Sequence, residues 1–299
     1  GVNIEGNYVK ILLYADDILL FSNTKIGLQN HLDNLYDYCT RWKLNVNLSK
    51  TKVLVCRGGG PISKDEFWFW GDQLIDICSK YKYLGIYFSA NGITQQSLDY
   101  LADQAGLAIL SLKYRLKNLG DVPLDLSLKL FHQCIFPILL YGSQVWGFRN
   151  CKVLERKCMR YFKFILRVSI TTCNSAVYAE LGEIPIQTYA KFYMIKYFLK
   201  IRALQSDRLD VLVLNYLCKN IDSNVYGICN LAFEVRKELD EIGLSYIFQM
   251  DPANVSEELI NDIWVRQTDI AKAKILADIC TYRKLNYYCR LKQDHKFEL

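Results

Sequence analysis

Two adjacent aspartates, Asp16 and Asp17, stand between two short apolar runs near the start of the sequence. The runs, residues 9–14 and 18–21, predict a β-hairpin with the carboxylates at its tip. Neighbouring carboxylates repel one another, and a divalent cation relieves that repulsion. Mg²⁺ prefers one or two carboxylates together with substrate phosphates and water. The pair therefore predicts an open magnesium site, with Asp16 as the primary ligand and Asp17 as the supporting one. The alternative is an ordinary hairpin turn, in which Asp is favoured for its backbone hydrogen bonds.

The elements that must position this hairpin are a helix and several strands. Because both runs are almost continuously apolar, we expect one face of the hairpin to be covered. A helix is predicted over residues 25–43, capped by Asn23 or Thr24. Its apolar residues share one stripe, which should pack against the sheet: Leu28, Leu32, Leu35, Cys39 and Trp42. A strand is predicted at 51–56, and short antiparallel strands at 66–70, 74–77 and 82–88, before a turn at Asn91-Gly92.

Everything beyond residue 93 has helical periodicity. One helix is predicted over residues 95–119, and a second runs from Pro123 to residue 146 with a bend near Pro137. Amphipathic helices follow, and they should break at 182–185, at 222–227, at Gly243 and at Pro252. The predicted fold class is α+β: a short antiparallel sheet with one long helix in residues 1–92, helices in 93–150, and a helical region in 151–299.

Composition sets wider limits on the function. Apolar residues make up 51% of the chain and charged residues 23%, which is typical of a folded domain rather than a disordered one. A net charge of +6 fits contact with phosphate but does not require it. The longest apolar stretch, residues 135–145, is too short to span a membrane. The eleven cysteines include no CxxC pair, which favours reduced intracellular thiols.

A metal knuckle is the one cysteine site that the sequence leaves open. Cys280, Cys289 and His295 lie near one another along the chain, but the set is one ligand short of a zinc site and is irregularly spaced. The alternative is two cysteines that pack between helices and a histidine in the tail.

Five motifs resemble one enzyme family in their order and spacing. Tyr14-Ala15-Asp16-Asp17, followed by Ile18-Leu19-Leu20-Phe21, resembles the metal-binding hairpin of reverse transcriptases. Further segments are similar to those of non-LTR (LINE-type) retrotransposons: Trp42-Lys43-Leu44-Asn45-Val46-Asn47 with Asn47-Leu48-Ser49-Lys50-Thr51-Lys52, Tyr83-Leu84-Gly85-Ile86 of a primer-grip hairpin, 138–147 of a thumb, and Asn174 with Ala179-Glu180-Leu181-Gly182. The resemblance covers roughly residues 8–190.

The resemblance implies an RNA-directed DNA polymerase that transfers nucleotides with two metal ions, Mg²⁺ or alternatively Mn²⁺. Asp16 and Asp17 would hold the ions, and Tyr14 with Ala15 would lie beneath the primer end and the nucleotide. Lys50 would lie near the triphosphate, although a solvated turn lysine is the alternative. The implied partners are an RNA template, a DNA primer and deoxynucleoside triphosphates, with no membrane and an intracellular location in nucleus and cytoplasm.

The resemblance also assigns residues 1–92 to part of a palm and 93–150 to a thumb. Tyr83, Leu84 and Gly85 would hold the primer strand, with sheet core as the alternative for Tyr83 and Leu84. Three basic residues near the end of the first thumb helix would face the template–primer backbone, unless they form an ordinary solvated face: Lys113, Arg115 and Lys117.

One feature of the family is missing from the sequence. The family needs a third aspartate on an earlier strand and fingers that bind the nucleotide, yet none of the thirteen residues before Tyr14 is Asp. We therefore expect a longer polyprotein whose N-terminal half is a partner, and a chain that extends no primer alone. A catalytically idle nucleic-acid-binding remnant is the alternative. A metal-dependent phosphohydrolase would need further ligands near Asp16 and Asp17.

Overall fold

The computed structural model describes residues 1–57, 65–90, 92–93, 95–221 and 230–294. The chain divides into two compact units. The first comprises Gly1–Thr94 and Gln205–Asn230, and the second Gln95–Leu204 and Leu231–Leu299. The first unit holds the small sheets and the second is helical, so the predicted α+β class is confirmed.

The strands of the first unit are short and are mostly joined as hairpins. They are β1 (Val2–Ile4), β2 (Asn7–Val9), β3 (Ile11–Tyr14), β4 (Asp17–Leu20), β5 (Val53–Leu54), β6 (Trp68–Trp70), β7 (Gln73–Ile75), β8 (Ile77–Cys78), β9 (Lys80–Tyr83), β10 (Ile86–Ser89) and β11 (Gly92–Ile93). Antiparallel pairs join β1 to β2, β3 to β4 and β6 to β7, and β9, β10 and β11 form a three-stranded sheet.

The strand β5 departs from the all-antiparallel prediction, since it pairs in parallel with β8. The β6–β7 hairpin lies between them in sequence, and this long connection lets β8 run beside β5 in the same direction. The strand predicted over residues 51–56 is also shorter than expected, because only Val53 and Leu54 find ladder partners.

The helix α1 (Lys25–Trp42) forms one wall of the core of the first unit. The hydroxyl of Thr24 accepts a hydrogen bond from the Gly27 N–H at 3.1 Å, which confirms the predicted cap. The buried core joins the helix to the strands: Leu32, Cys39, Val53, Trp68, Trp70 and Ile75, with Leu28 and Leu35 half-buried against them. Trp42 is 64% exposed, so its predicted place in the core is wrong. It ends the helix and lies against the ring of Tyr38.

A side chain of α1 also satisfies the backbone of β6. The amide nitrogen of Gln29 donates to the Phe69 carbonyl at 3.0 Å, and the Phe69 N–H donates to the Gln29 amide oxygen at 2.9 Å. The register of β6 and β7 pairs Trp70 with Gln73 across a two-residue turn, so the backbone groups of Phe69 point away from β7. Gln29 thus binds the free edge of β6.

The remaining helices follow in chain order. They are α2 (Gln95–Leu119), α3 (Leu124–Leu130), α4 (Phe136–Leu139), α5 (Ser143–Trp146), α6 (Lys152–Ile165), α7 (Asn174–Leu181), α8 (Ile186–Arg202), α9 (Leu209–Lys219), α10 (Leu231–Glu241), α11 (Glu257–Thr281) and α12 (Asn286–Asp294). Of these, α9 belongs to the first unit. Short 3₁₀ segments lie at Ser245–Phe248, Pro252–Asn254 and Arg283–Leu285. No helix in the described residues is long and apolar enough to cross a membrane.

The predicted second helix is irregular just before Pro137 and ends early. A π-helical segment, Phe131–Ile135, precedes Pro137, because the proline lacks an N–H and its ring crowds the preceding turn. The helix then stops at Leu139, and Gly142, with a φ of 70°, begins a separate α5. One continuous helix to residue 146 was therefore a wrong prediction. The predicted breaks at 182–185, Gly243 and Pro252 are confirmed; that at 222–227 lies outside the described residues.

Residues 138–147, which resemble a thumb motif, pack within the core of the second unit. Trp146 is fully buried, and its indole N–H donates to the Tyr141 carbonyl at 2.9 Å. A Cβ on Gly147 would lie 2.2 Å from the carbonyl oxygen of Ala190 in α8. The glycine therefore permits the close approach of the backbone after α5 to α8.

The cysteines considered for a metal knuckle lie on α11 and α12. The Sγ atoms of Cys280 and Cys289 are 3.1 Å apart, while His295 lies outside the described residues. Across the part of the chain that is described, no group of three or more His, Cys, Asp or Glu side chains could hold a metal ion. What the structure shows here is a pair of thiols between two helices.

Candidate active site

The predicted hairpin is confirmed as the pair β3–β4. Its register places Tyr14 opposite Asp17, so the turn consists of Ala15 and Asp16 alone. Ala15 has a φ of 52°, in the left-handed region that L residues other than Gly and Asn rarely adopt. Such backbone strain clusters at functional sites, where the surrounding structure holds it in place.

The two carboxylates occupy different positions on this hairpin. Asp16 lies in the turn, while Asp17 begins β4 and shares one face of the hairpin with Tyr14, its direct cross-strand partner. All three side chains are exposed. Neither carboxylate forms a hydrogen bond or an ion pair with any residue in the described ranges. Both are therefore available to a bound cation, and the Tyr14 ring is available to a stacking partner.

The opposite face of the hairpin is less covered than predicted. Ile11, Leu13 and Ile18 share this face, and all three are exposed, Leu13 by 67%. Only Leu20, at the base of the hairpin, packs against the core of the first unit. The predicted cover is therefore absent from this face in the described residues, whereas Leu12 and Leu19, on the face of Tyr14 and Asp17, are half-buried.

The donor set at the tip fits an open cation site. Two adjacent carboxylates are a suitable partial ligand set for Mg²⁺, which commonly completes its octahedron with water and substrate phosphates. A closed protein cage would need more ligands, and none joins Asp16 and Asp17 among the described residues. The arrangement is suited to an ion that arrives with, or is shared by, a phosphate-bearing substrate.

Lys50 is held by a turn and by a neighbouring strand. Its N–H donates to the Asn47 carbonyl at 3.1 Å, and its own carbonyl accepts from the Tyr81 hydroxyl at 2.9 Å. Its exposed ammonium forms no ion pair within the described residues, whereas Lys52 pairs with Asp76 at 2.6 Å. Sequence reasoning missed the positioning roles of Asn47 and Tyr81. Asparagine is common in turns because its side chain can bond nearby backbone groups, and this signal could have identified Asn47.

The second predicted site hairpin is the pair β9–β10. Its register pairs Tyr83 with Ile86, so Leu84 and Gly85 form a two-residue turn. Both have positive φ, 46° and 82°, as a type I′ turn requires. Leu84 is exposed at the tip and Tyr83 is half-buried. Because Tyr81 of β9 bonds the backbone of Lys50, the structure brings this hairpin and the Lys50 turn together.

The basic residues predicted on α2 lie in the second unit. The ammonium of Lys113 donates to the Arg160 carbonyl at 2.9 Å and lies 4.8 Å from the ring centre of Phe164. Burial lowers the pKa of Lys113, and the charges of Arg160 and Lys117 lower it further. Arg115 and Lys117 are exposed. Nucleic-acid contact by these residues stays a prediction.

Comparison with known proteins places these features in a family context. Residues 3–88 match the family model described as reverse transcriptase (RNA-dependent DNA polymerase). Among curated proteins, the chain is 28% identical over 161 residues to a protein named for the RNA-directed DNA polymerase from transposon BS of Drosophila melanogaster. It is 30% identical over 151 residues to an uncharacterised transposon-derived protein of Caenorhabditis elegans. It is 23% identical over 170 residues to the RNA-directed DNA polymerase from mobile element jockey of Drosophila funebris.

These similarities cover part of each protein. The matched segments make up 49%, 50% and 51% of this chain in the same order. They span 18%, 53% and 18% of the respective relatives. No solved structure matches the chain.

Proposed function

We propose that the chain comes from a reverse transcriptase of the kind found in non-LTR retrotransposons and takes part in RNA-directed DNA synthesis; the support is the family match over residues 3–88 and the similarity to transposon polymerases. One observation carries the proposal: inside the matched segment, Asp16 and Asp17 present two exposed carboxylates, without protein partners in the described residues, at the tip of a two-residue hairpin turn. The proposed substrates are an RNA template, a DNA primer and deoxynucleoside triphosphates.

Each residue of the hairpin has a defined task in this proposal. Asp16 and Asp17 hold divalent cations, Mg²⁺ or alternatively Mn²⁺. Ions held there by Asp16 and Asp17 would supply the Lewis acidity that nucleotidyl transfer needs at the attacking hydroxyl and at the departing phosphate. Tyr14 and Ala15 lie beneath the primer end, and the exposed ring of Tyr14 provides the apolar surface for that contact.

The neighbouring elements complete the proposed site. The Lys50 ammonium, which has no acidic partner among the described residues, neutralises the charge that develops on the triphosphate. Tyr83, Leu84 and Gly85 hold the primer strand at the β9–β10 turn. The hydrogen bond from Tyr81 to Lys50 keeps these two groups in register.

At the level of domains, we assign residues 1–92 to part of a palm. Residues 93–150 are thumb-like, and 151–299 form a helical C-terminal region. The support is the change from short strands with one long helix to helices alone at Gln95.

We further propose that the isolated chain does not extend a primer. The described residues provide two carboxylates at the tip and no third ligand beside them. A two-metal site with an incomplete ligand set binds its ions weakly and cannot fix the geometry of in-line transfer. A segment that supplies the remaining carboxylate and a nucleotide-binding surface is the partner that this site needs.

A chimeric enzyme tests the proposal. The part of the transposon BS polymerase that precedes its matched region is fused before Gly1 of the complete chain, and templated incorporation is measured with Mg²⁺. We expect extension by the chimera and none by the chain alone. Asp16→Asn should reduce extension by roughly 10²-fold or more. Asp37→Asn, which makes the same change in charge on the exposed side of α1, is the control.

Two results would contradict the proposal. One is equal extension by the Asp16→Asn and Asp37→Asn chimeras. The other is binding of primer–template by the complete chain that responds neither to Mg²⁺ nor to Asp16→Asn, together with an inactive chimera. The second result would favour a nucleic-acid-binding remnant whose aspartates are idle.

A further inference from the structure

Helix α6 presents a row of three exposed cations, Lys152, Arg156 and Arg160. Successive members are four residues apart, so they lie on one side of the helix and span about 12 Å along its axis. The other side of α6 is packed into the core of the second unit by Leu154, Cys158, Met159, Tyr161 and Phe162. The row is therefore fixed to a rigid support.

The members of this row form no direct ion pairs in the described part of the chain, although acidic side chains lie near them. None of the three side chains forms an ion pair with any acidic group in the described residues. The adjacent Lys157 does, since its ammonium lies 3.3 Å from the Asp103 carboxylate. That pair lines, with Asp99, a cleft of about 260 Å³ between α2 and α6 into which Arg156 and Arg160 also face.

The acidic residue within the row, Glu155, is half-buried and is hydrogen-bonded from the core side. Glu155 accepts a hydrogen bond from the Tyr178 hydroxyl and another from the Gln187 N–H at 3.2 Å. Both partners are on the core side, where Tyr178 is buried. Glu155 also lines a cleft with Lys152, Arg156 and Asn174, so it offsets part of the positive charge at this end of the row, while Arg160 lies beyond its reach.

The end of α2 extends the positive surface. The Lys113 ammonium bonds the carbonyl of Arg160, which fixes the end of α2 beside α6. Lys117 follows one turn further along α2 and is exposed. The charges of Arg160 and Lys117 both disfavour the protonated form of Lys113, so these cations repel one another in the absence of an anion.

We propose that this basic row, defined as Lys152, Arg156 and Arg160 with Lys117 at its end, binds the phosphate backbone of a nucleic acid without reading its sequence. A line of arginine and lysine side chains without acidic partners is suited to a linear polyanion. A membrane surface fits less well, because a helix that lies in a membrane needs a free apolar face, and that of α6 is already buried in the core. The choice of nucleic acid as partner rests on the proposed function, whereas the row itself is defined by its geometry.

Salt-dependent binding tests the inference. Binding of the complete chain to a fluorescent RNA–DNA duplex is measured over about 50–200 mM salt in EDTA, without any requirement for catalysis. The test variant replaces Lys152, Arg156 and Arg160 by Ala. Its matched control replaces three exposed cations elsewhere in the same unit, Lys237, Lys274 and Arg290, so the net charge is equal.

We expect the row variant to bind at least about tenfold more weakly than the control, and to reduce the slope of log K against log salt by about 2.7, which corresponds to three phosphate contacts. Equal losses in both variants would overturn the inference, since net charge alone would then explain binding. Stronger binding to anionic phosphatidylserine vesicles than to the duplex would also overturn it. Circular dichroism of each variant, and the single exchange Lys152→Glu, guard against loss of fold.

The outcome is separable from that of the proposed function. Binding to the duplex is measured in EDTA on the chain itself, so its outcome does not depend on what the chimera does. An inactive chimera with intact row-dependent binding would reject only the polymerase. An active chimera that extends equally well and binds equally tightly with the row replaced would reject only the row.

Discussion

At the scale of single residues, Glu155 shows how burial changes the chemistry of a carboxylate. Desolvation raises its pKa, and the hydrogen bonds from Tyr178 and Gln187 oppose that shift without cancelling it. The folded protein therefore disfavours the ionised form of Glu155, and this cost disappears once the group is protonated.

Replacing Glu155 by Gln should change how stability depends on pH. The pKa of Glu155 is higher in the folded than in the unfolded state, so the folded state binds more protons between the two values. The stability of the wild type should fall as pH rises from the unfolded pKa, about 4.3, to the raised folded value. Gln does not titrate, so the variant should gain stability relative to the wild type over that interval. Urea unfolding between about pH 4 and pH 8 measures the difference.

Tyr178→Phe is the matched test of the cause. It removes a hydrogen bond that lowers the pKa of Glu155, so the fall of stability with pH should deepen. Parallel pH profiles for wild type and Glu155→Gln would refute this account.

At this scale the sequence predicted the element on which a residue lies better than it predicted the burial and contacts of its side chain. The spacing of apolar residues was enough to place Asp16 and Asp17 at a hairpin tip, because a two-residue turn between strands has a local signature. The exposure of Trp42 was not predictable in the same way, since burial depends on how far the opposing strands extend. The bond from Tyr81 to Lys50 joins residues 31 positions apart, and no periodicity reports such a contact.

At the scale of elements, the close packing of the backbone after α5 against α8 depends on the absence of a side chain at Gly147. Gly147→Ala would place a Cβ against the backbone of Ala190, where no flexible group can move aside. We expect the free energy of unfolding to fall by about 1–3 kcal/mol. Gly106→Ala, in the interior of α2, is the control, because its Cβ would meet only the flexible side chain of Lys157 from α6. It should stabilise by roughly 0.5–1 kcal/mol through helix propensity. Urea unfolding of both variants would contradict this account if their effects had the same sign.

Elements with a local cause were predictable, and those with a remote cause were not. The helices α1 and α2 follow from apolar spacing, and proline chemistry accounts for an irregular helix near Pro137. The parallel pairing of β5 with β8 depends on the path of the chain between them. The π-helical segment adds one residue to a turn, and the sequence shows only that a proline follows.

At the scale of the whole molecule, the chain leaves its first unit and returns to it. Residues 205–230 belong with 1–94, and the Lys219 ammonium on α9 pairs with the Glu5 carboxylate beside β1. Apolar periodicity identified α9 as part of a helical region, but periodicity does not predict which unit a helix packs with. The predicted limits of the palm, thumb and C-terminal regions remain predictions.

The division into two units predicts that a substitution that destabilises one unit leaves the local stability of the other unchanged. Gly147→Ala should speed amide hydrogen exchange in the helices of the second unit, α5 and α8 above all. Exchange in β6, β7 and β9 of the first unit should be unchanged, because regions that open separately have separate opening free energies. Hydrogen-exchange mass spectrometry measures both at once. Uniformly faster exchange across the two units would show that they unfold together.

The contact between Gln29 and Phe69 has a consequence for aggregation of the protein. An exposed strand edge is a template on which another molecule can add a strand and begin to aggregate. The side-chain amide of Gln29 occupies both backbone groups of Phe69, as a peptide of an adjoining strand would. Gln29 thereby blocks the addition of a strand from another molecule to β6 at Phe69.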